Sequence, residues 1–421
     1  MRRTVAEHQE AVLALLRNGW KGTFDGGERL PLIDCLGRVL AEDVVAPMDL
    51  PPFANSQMDG FAVNSADLDG GATLRAAVTI PAGAVPARLN PGEAAPIMTG
   101  AMLPEGADAV VPVERAVPAS FPDPQDRAAS VTLPATGPGE YVRAAGSDVR
   151  VGSVAIPAGS RLTAAQLGLA AALGLTGVAV RRKPRVLLVA TGDEVVLPGN
   201  GLPAGKIYDA NSMLLHASLV EAGAQVLAAG LVRDEPAELL QLLEERIAAG
   251  GIDLIVTSGG ISAGAYEVVK QALAGRAEFC SVAMQPGGPQ ALGSVAGVPF
   301  LGFPGNPVSG VVSFEMFLRP ALAALAGTAR PRTRVRARLT EGLSSPAGKV
   351  QVRRALYLEG SESAEDSDGS NGQTTTAGSV AAVGGPSSHL LGSLAASNAL
   401  IQIPAEVTEL PAGSNVEVWL L

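Results

Sequence analysis

Four short apolar segments, each followed by a polar loop, limit most strongly how this chain can fold. The segments are residues 185–190, 225–232, 252–257 and 299–303. Stretches with helical spacing of apolar residues separate them, near 211–223, 236–249, 266–274 and 307–325. This alternation predicts an α/β core with a parallel sheet, from about 181 to 328. Because ligands of open parallel sheets bind outside the carboxyl ends of the strands, the four loops predict one functional site.

Two of the loops carry carboxylates. Thr191-Gly192-Asp193-Glu194 follows the first segment, and Arg233-Asp234-Glu235 follows the second. Neighbouring strand ends would bring Glu194 and Asp234 close together, where carboxylates can hold Mg²⁺ beside a phosphate or take part in acid–base chemistry. Helix capping and solvated turns are the alternative interpretation, above all for Asp193.

The third loop is rich in glycine and reads Ser258-Gly259-Gly260-Ile261-Ser262-Ala263-Gly264. Glycines let the backbone approach an anion closely, and the amides of a following helix favour phosphate. The loop lacks both the G-x-G-x-x-G pattern and the lysine of a P-loop, which disfavours dinucleotide oxidoreductases and P-loop enzymes. A plain strand-to-helix turn is the alternative.

The fourth loop carries two prolines in a short space. Pro304, Asn306, Pro307 and Ser309 follow the last apolar segment directly. Proline fixes the backbone, so we predict a rigid loop whose N–H groups and Ser309 hydroxyl bind an oxyanion at the start of a helix.

Composition narrows the class of protein. A length of 421 residues suggests three or four domains, and a formal net charge of −10 disfavours nucleic acid as a partner. Two cysteines, Cys35 and Cys280, form no disulfide framework, and three scattered histidines make a zinc site improbable. No signal peptide follows the N-terminal residues, and the most apolar window, 167–180, is too short to span a membrane. We therefore expect a soluble protein of the cytoplasm, with no membrane partner.

Local patterns divide the chain. The expected parts are an N-terminal helix packing on the core (1–27), an extended linker subdomain (28–50 and 149–180), an inserted β-rich module (51–148), the α/β core (181–328) and a C-terminal β-domain (331–421). Thr4-x-x-Glu7 and Thr163-x-x-Gln166 are capping boxes that predict helices over 4–18 and up to Leu173. The C-terminal strands are predicted at 334–339, 350–358, 399–403 and 416–420. The Ser- and Gly-rich tract 360–379 has almost nothing to bury, which predicts a disordered loop.

Seven motifs in a fixed order resemble the molybdopterin molybdenumtransferase family, which includes MoeA and the E domain of gephyrin. They are residues 55–60, 97–106, 191–194, 205–211, 258–264, 302–309 and 388–391, spread over nearly the whole chain. The resemblance implies an elongated four-part chain with a Rossmann-like, three-layer core, working as a homodimer. In that family the active site lies between the α/β part and the β-module of the partner subunit, which would explain why Asp59 and Thr99 lie so far from the core in sequence.

The resemblance also implies a reaction: molybdate enters the dithiolene of adenylylated molybdopterin, and AMP leaves with the assistance of Mg²⁺. The catalytic residues would be Asp59, Thr99, Glu194 and Asp234, and the metal ligands Glu194, Asp234 and Glu267. The residues expected to bind substrate are Arg143, Asp148, Ser258, Gly259, Gly260, Ser262, Gly264, Glu267, Lys270, Gln285, Pro286, Pro304, Asn306, Pro307 and Ser309. Lys206 is a further source of local positive charge. The adenylyltransferase that supplies the substrate and the molybdoenzymes that receive the product are expected partners.

The chain departs from the family at one segment. The family often carries lysines where this chain has Ser281, Gln285 and Gly288, and often aspartate where it has Glu267. A glutamine donates hydrogen bonds to an oxyanion but lacks the charge that strengthens them. Two alternatives therefore stand beside the transferase: a catalytically weak molybdopterin-binding or scaffold protein, and an enzyme of the preceding adenylylation step. Residues 28–180 and 331–421 count against the second, because adenylylation would not need them.

Overall fold

The computed structural model describes residues 2–24, 26–123, 125–126, 128–262, 267–360 and 378–421. Contacts divide the chain into two compact units. The first unit combines residues 1–26 with 181–421, and the second unit is the intervening stretch 27–180.

The N-terminal segment of the first unit is a short strand followed by a helix, β1 (Arg2–Arg3) and α1 (Val5–Gly19). The predicted capping box is confirmed: Glu7 N donates to Thr4 Oγ1 at 3.2 Å, and Thr4 N donates to Glu7 Oε2 at 2.7 Å. The buried face of α1 follows the helical period and joins the core of the first unit through Val5, His8, Val12 and Leu16.

The second unit is built from short strands and one helix. Its strands are β2 (Gly27–Pro31), β3 (Val44–Val45), β4 (Asn55–Ser56), β5 (Gly60–Val63), β6 (Ala72–Ala76), β7 (Glu93–Ile97), β8 (Ala109–Pro112), β9 (Ser130–Leu133), β10 (Val142–Arg143), β11 (Val154–Ile156) and β12 (Gly177–Arg181). Five of them form a sheet in the order β8-β5-β7-β6-β9. Its helix, α2 (Ala164–Ala172), begins after Thr163, the N-cap of the predicted capping box, and ends before Gly174, whose φ of 77° stops it.

The α/β part of the first unit contains the four predicted strands and several more. The strands are β13 (Arg185–Thr191), β14 (Val195–Val196), β15 (Ile207–Tyr208), β16 (Gln225–Val232), β17 (Leu254–Ser258), β18 (Ala277–Val282), β19 (Met284–Gln285), β20 (Pro289–Val295) and β21 (Val298–Phe303). The helices are α3 (Asn211–Glu221), α4 (Pro236–Ala248), α5 (Val268–Ala272), α6 (Pro307–Ser313) and α7 (Arg319–Ala321), with π-helical stretches Phe314–Leu318 and Leu322–Ala326 continuing α6 and α7.

The main sheet has seven strands in the order β1-β18-β20-β21-β17-β13-β16. The four predicted strands, β16, β13, β17 and β21, are parallel neighbours, which confirms that their carboxyl ends share one edge. The sheet as a whole is mixed, because β20 runs antiparallel to both β21 and β18. This hairpin was not predicted. Its turn, Ala296-Gly297, has positive φ at both positions (45° and 84°), the conformation that two-residue hairpins require.

One continuous helical stretch, Pro307–Ala326, is long and apolar enough to cross a membrane by length and composition alone. An 18-residue window of it is 78% buried, so it is a core helix of the first unit. It also carries a buried ion-pair group: Glu315 Oε2 lies 2.8 Å from Arg319 Nε, and Glu315 Oε1 lies 2.9 Å from Arg332 Nη2. Arg332 also pairs with the exposed Glu221 at 2.9 Å.

The C-terminal part of the first unit is a β-structure. Its elements are β22 (Arg334–Leu339), β23 (Leu343–Ser344), β24 (Val350–Leu358), β25 (Ser379–Ala382), α8 (Leu391–Ala395), β26 (Ala399–Ile403), β27 (Glu409–Leu410) and β28 (Asn415–Leu420). Strands β24, β25, β22, β28 and β26 close on themselves, because β26 pairs with β24 as well as with β28. The short β19 joins this sheet beside β24, with Gln285 opposite Gln351.

The four C-terminal strands predicted from sequence are confirmed, and β23, β25 and β27 are additions. Strand β25 begins at Ser379, the last residue of the tract predicted to be disordered. Most of that tract, 361–377, lies outside the described residues.

Candidate active site

A cavity of about 970 Å³ opens at the edge of the main sheet where the four parallel strands end. All four predicted loops contribute to it, together with the turn after β18 and a loop of the C-terminal part. Its described lining residues include Thr191, Gly192, Glu194, Asp209, Asn211, Asp234, Gly259, Gly260, Ser262, Glu267, Ser281, Gln285, Pro286, Gly288, Pro304, Asn306, Pro307, Ser309, Lys349, Ser388 and His389. The whole cavity belongs to the first unit.

The carboxylate loops after β13 and β16 are tied to each other. Asp193 N donates to Asp234 Oδ2 at 3.1 Å, and Asp234 N donates to Asp193 Oδ1 at 3.2 Å. Lys206 Nζ donates to the carbonyl of Asp193 from the neighbouring segment. Asp193 therefore has a structural role that fixes where Glu194 and Asp234 lie.

The pKa of Asp234 is raised. Burial is the largest cause, and the negative charges of Asp193, Glu194 and Glu267 act in the same direction, while the hydrogen bond from Asp193 N opposes them. A half-buried carboxyl surrounded by three others favours either a proton or a cation. A positively charged group bound beside Asp234 would therefore be stabilised by these carboxylates.

The carboxylates at the cavity suit Mg²⁺ only if waters and substrate phosphates complete the coordination of the ion. Among the described residues, no group of three or more His, Cys, Asp or Glu side chains is arranged to hold a metal ion. Mg²⁺ is commonly held by one or two carboxylates together with waters and substrate phosphates, so a complete protein cage is not needed. Glu194 and Asp234 fit that kind of site, with Glu267 near enough to act through its charge.

The glycine-rich loop has the backbone conformation that only glycine accommodates easily. Gly259 and Gly260 have φ values of 95° and 65°, and a Cβ at Gly259 would lie 3.0 Å from the carbonyl oxygen of Thr191. Ser262 N donates to Glu267 Oε2 at 2.8 Å, which links the loop to a carboxylate. Gly264 lies outside the described residues.

The expected contribution from a helix N-terminus is weaker than the sequence suggested. Helix α5 begins only at Val268 and is five residues long. Because so short a helix has little dipole, its N-terminus offers an anion little electrostatic stabilisation.

The proline loop is held from two sides. Asn211 Nδ2 donates to the carbonyl of Gly305 at 2.6 Å, and Val308 N donates to the carbonyl of Ser388 at 3.1 Å. Ser309 is buried at the start of α6 and lines the cavity. Pro304, Asn306 and Pro307 line it as well, so the loop lies at the cavity.

Buried polar atoms at the cavity lack protein partners. Among the described residues, Thr191 Oγ1 and Asp209 Oδ2 belong to the cavity lining and find no hydrogen-bond partner, although each atom is shielded from solvent. The same holds for Ser258 Oγ, although Ser258 itself does not line the cavity. Asp209 is 6% exposed, and its other carboxylate oxygen accepts from Ser212 N at 2.9 Å. Such groups are costly to leave unpaired, so each needs a water molecule or a polar ligand as its partner. The sequence did not predict Asp209 as a site residue, because an aspartate just before a helix is typical of a helix cap.

Several expected site residues lie elsewhere. Lys270 is exposed on α5 and is not among the described residues that line the cavity. Asp59, Thr99, Arg143 and Asp148 belong to the second unit.

Within the second unit, Asp59 and Thr99 meet although they are 40 residues apart. Asp59 Oδ1 accepts from Thr99 N at 2.6 Å and from Thr99 Oγ1 at 2.8 Å, and these bonds lower the pKa of Asp59. Arg143 Nη1 donates to the buried Asn55 Oδ1 at 3.5 Å, and the exposed Asp148 donates its N–H to the carbonyl of Leu50. Asp59 is thus an oriented, ionised carboxylate on the surface of its unit.

Comparison with protein families finds three consecutive matches. They are the MoeA N-terminal region (domain I and II) over residues 3–174, a probable molybdopterin binding domain over 187–324, and the MoeA C-terminal region (domain IV) over 336–421. Together they account for nearly the full length of the chain.

Individual relatives agree. Molybdopterin molybdenumtransferase 2 of Mycobacterium tuberculosis is 42% identical over 432 aligned positions, with 99% of each chain covered. Molybdopterin molybdenumtransferase of Haemophilus influenzae is 34% identical, with 93% of each covered. The crystal structure of a molybdopterin biosynthesis MoeA protein from Pyrococcus horikoshii superposes with a TM-score of 0.78 at 30% identity, covering 100% of this chain and 99% of that one.

Proposed function

Because the chain belongs to the molybdopterin molybdenumtransferase (MoeA) family, a family of transferases in molybdenum cofactor biosynthesis, we propose that it inserts molybdate into adenylylated molybdopterin and releases AMP. The observation that carries this reaction is the single cavity in which a glycine-rich loop, a carboxylate pair and a proline loop meet.

Each wall of the cavity has a role in this proposal. The backbone of 258–262 binds the phosphate end of the substrate, and the loop 304–309 holds the oxyanion with rigid donors. Glu194 and Asp234 would hold Mg²⁺, which would offset the charge of the phosphates. Asp209 and Thr191 satisfy donors and acceptors of the bound ligand with their unpaired oxygens.

The reaction balances without an oxidant or reductant. When the two dithiolene sulfurs replace one oxo group of molybdate, that oxygen leaves as water with the two thiol protons, and molybdenum keeps its oxidation state. Cleavage of the phosphoanhydride consumes one water and gives AMP and the phosphate of molybdopterin. The chain therefore needs to bind and orient its substrates and to admit the one water that cleavage of the phosphoanhydride consumes.

We also propose the finer features that the family resemblance implies. These are a three-layer, Rossmann-like core in an elongated chain, a homodimer in which Asp59 and Thr99 reach the cavity of the partner subunit, a cytoplasmic location, and contacts with the adenylyltransferase and recipient molybdoenzymes. The two free, buried cysteines, Cys35 and Cys280, support a reducing compartment.

The deciding experiment measures AMP release from adenylylated molybdopterin with Mg²⁺, with and without micromolar molybdate. We expect release that depends on molybdate and disappears in Glu194→Gln. Binding of the substrate without release, even at high molybdate, would instead establish the scaffold alternative, which the absence of lysine at 281, 285 and 288 favours. ATP consumption without adenylylated substrate would indicate the adenylylation step.

A further inference from the structure

A second concave site lies in the first unit, where the core helix Pro307–Ala326 and the segment after it meet the C-terminal β-structure. Its volume is about 340 Å³, within the range in which proteins bind small molecules. Three arginines line it, Arg319, Arg332 and Arg334, together with Glu315, and the rest of the described lining is apolar. We call this site the arginine pocket. No described residue lines both the arginine pocket and the active-site cavity.

The buried guanidinium group of Arg319 is held by charge and not by well-formed hydrogen bonds. Its side chain is 4% exposed. Glu315 Oε2 lies 2.8 Å from Arg319 Nε, and Glu221 Oε1 lies 3.2 Å from Arg319 Nη2, yet neither contact has the geometry of a hydrogen bond. Because a guanidinium group carries five N–H donors, Arg319 retains a capacity to bind that the protein does not use fully.

The two carboxylates near Arg319 are shared with Arg332. Glu315 accepts from Arg332 Nε at 3.0 Å and from Arg332 Nη2 at 2.9 Å. Glu221 also pairs with Arg332, at 2.9 Å, and its side chain is 56% exposed, so water and salt screen its charge. In the described lining of the arginine pocket, three guanidinium groups therefore face one carboxylate. This excess of positive charge favours an anion.

Trp419 gives the pocket an aromatic wall. It lies opposite Arg334 in the pairing of β22 with β28, and Arg334 Cζ is 4.7 Å from the centroid of the indole ring. Trp419 Nε1 donates to Glu417 Oε1 at 2.8 Å, which fixes the ring. Arg334 also lies 3.6 Å from Glu417, but its side chain is 61% exposed, so that pairing is weak. A fixed aromatic face beside a guanidinium group suits a ligand with both an apolar body and an acidic group.

We propose that the arginine pocket binds a small organic carboxylate that carries an aromatic or branched apolar group. The carboxylate pairs with Arg319 and Arg334, and the apolar group packs between Trp419 and the alanine and proline side chains of the pocket. A carboxylate fits better than inorganic phosphate, because the apolar wall offers a strongly hydrated dianion few donors. This binding site is separate from the cavity of the proposed reaction, so the inference goes beyond that reaction.

Calorimetric titration with phenylacetate tests the proposal, beside three ligands that each lack one of its features. Phenylacetamide has the ring without the charge, acetate has the charge without the ring, and inorganic phosphate has more charge and no apolar group. We expect the wild type to bind phenylacetate with a Kd below about 1 mM. The other three ligands should bind at least about tenfold more weakly, since each loses either the ion pair or the apolar contact.

Substitutions assign the binding to the pocket. Ala323→Leu fills space in the pocket without a change of charge, and Ala248→Leu makes the same change at an exposed position of α4 as the matched control. Arg334→Gln removes an exposed guanidinium group from the lining. Phenylacetate affinity should fall about tenfold in Ala323→Leu and in Arg334→Gln, and stay unchanged in Ala248→Leu. Urea unfolding midpoints confirm that all three variants are folded.

Four results would overturn the inference. They are no binding of phenylacetate by the wild type at about 10 mM, equal affinity for phenylacetamide or phosphate, undiminished affinity in both pocket variants, and displacement of phenylacetate by molybdate. The last result would place the ligand in the active-site cavity. None of these measurements uses AMP release, so the proposed function is tested separately.

Discussion

At the scale of single residues, the site is governed by carboxyl groups in two opposite environments. Asp234 is half-buried among other carboxylates, which raises its pKa, whereas Asp59 accepts two hydrogen bonds from Thr99, which lowers its pKa. Asp59 therefore stays ionised at neutral pH, and Asp234 is the group that gains most from a nearby cation. The two carboxyls are suited to different tasks.

Asp234→Asn should lower AMP release at least about tenfold, since a group that holds or orients the metal is lost. The same change should raise the stability of the metal-free protein. A raised pKa means that the folded state binds more protons than the unfolded state, so stability falls as pH rises from the ordinary value of 3.8 through the raised pKa and stays low above it. Asparagine does not ionise, so the variant does not lose this stability as the pH rises.

Thermal unfolding at neutral pH, with and without Mg²⁺, checks this prediction. The wild type should gain stability from Mg²⁺, and Asp234→Asn should not. A variant that Mg²⁺ stabilises as much as the wild type would show that Asp234 does not face the ion.

The roles of Asp209 and of the pair Gln285–Gln351 could not be predicted from the sequence. Glu194 and Asp234 were predictable, because apolar runs located the strand ends before them. The bond between Gln285 and Gln351 joins positions 66 residues apart, and nothing near either residue announces it. The unpaired oxygen of Asp209 depends likewise on burial by distant parts of the chain.

At the scale of elements, α1 carries a buried histidine in its core-facing row. His8 is 1% exposed and meets Phe317 edge to face at 4.6 Å, and burial, with a smaller contribution from Arg3, lowers its pKa to about 4. The folded state thus keeps His8 neutral where an unfolded chain would protonate it.

Stability should therefore fall as pH decreases from about 6.5 to about 4. The unfolded state binds the extra proton in that window, and the full effect is about 3 kcal/mol. His8→Leu should flatten the pH dependence of urea unfolding over this range, whereas the exposed His216→Leu should leave its slope unchanged. A slope that persists in His8→Leu would assign the effect to other groups.

The core helix that begins with α6 depends on its buried ion pairs. Glu315 is only 2% exposed, accepts hydrogen bonds from Arg332 and lies within ion-pair distance of the buried Arg319, so Glu315→Gln leaves the charges of both guanidinium groups undercompensated. We expect a loss of about 3 kcal/mol in the free energy of unfolding.

Glu221→Gln is the matched control, because Glu221 pairs with the same arginines from an exposed position. It should cost about 1 kcal/mol or less. Urea unfolding midpoints compare the two variants, and equal losses would show that burial does not decide the strength of this group.

Some strands of the main sheet could be predicted from the sequence and others could not. Strands β13, β16, β17 and β21 were predicted, since each is an apolar run between helices. Strands β18 and β20 were not, because the polar residues Glu278, Ser281 and Gln290 interrupt their apolar pattern. Their place in the sheet is decided by pairing with β21 and β1, which a local pattern does not encode.

At the scale of the whole molecule, the proposed dimer has a direct test. If Asp59 serves the cavity of the partner subunit, Asp59→Asn and Asp234→Asn dimers should each be inactive. Mixed dimers should regain AMP release, since one of their two cavities then has both carboxylates intact. Dimers are mixed by denaturation and refolding together, and activity is compared with each variant refolded alone.

Mixed dimers as inactive as their parents would place both carboxylates in the same subunit's site. A size measurement on the refolded material serves as the control, because it separates failure to form dimers from failure to complement.

The order of the first unit along the chain has a consequence for synthesis. Helix α1 packs against the stretch Phe314–Leu318, where His8 meets Phe317, although the whole second unit lies between them in sequence. During synthesis, α1 leaves the ribosome before the stretch 314–318, so its apolar face stays uncovered until that stretch has been made. Residues 27–180 can meanwhile fold as they appear. Newly made chains should therefore depend on chaperones through α1, and a premature stop before residue 307 should leave that helix as a degradation signal.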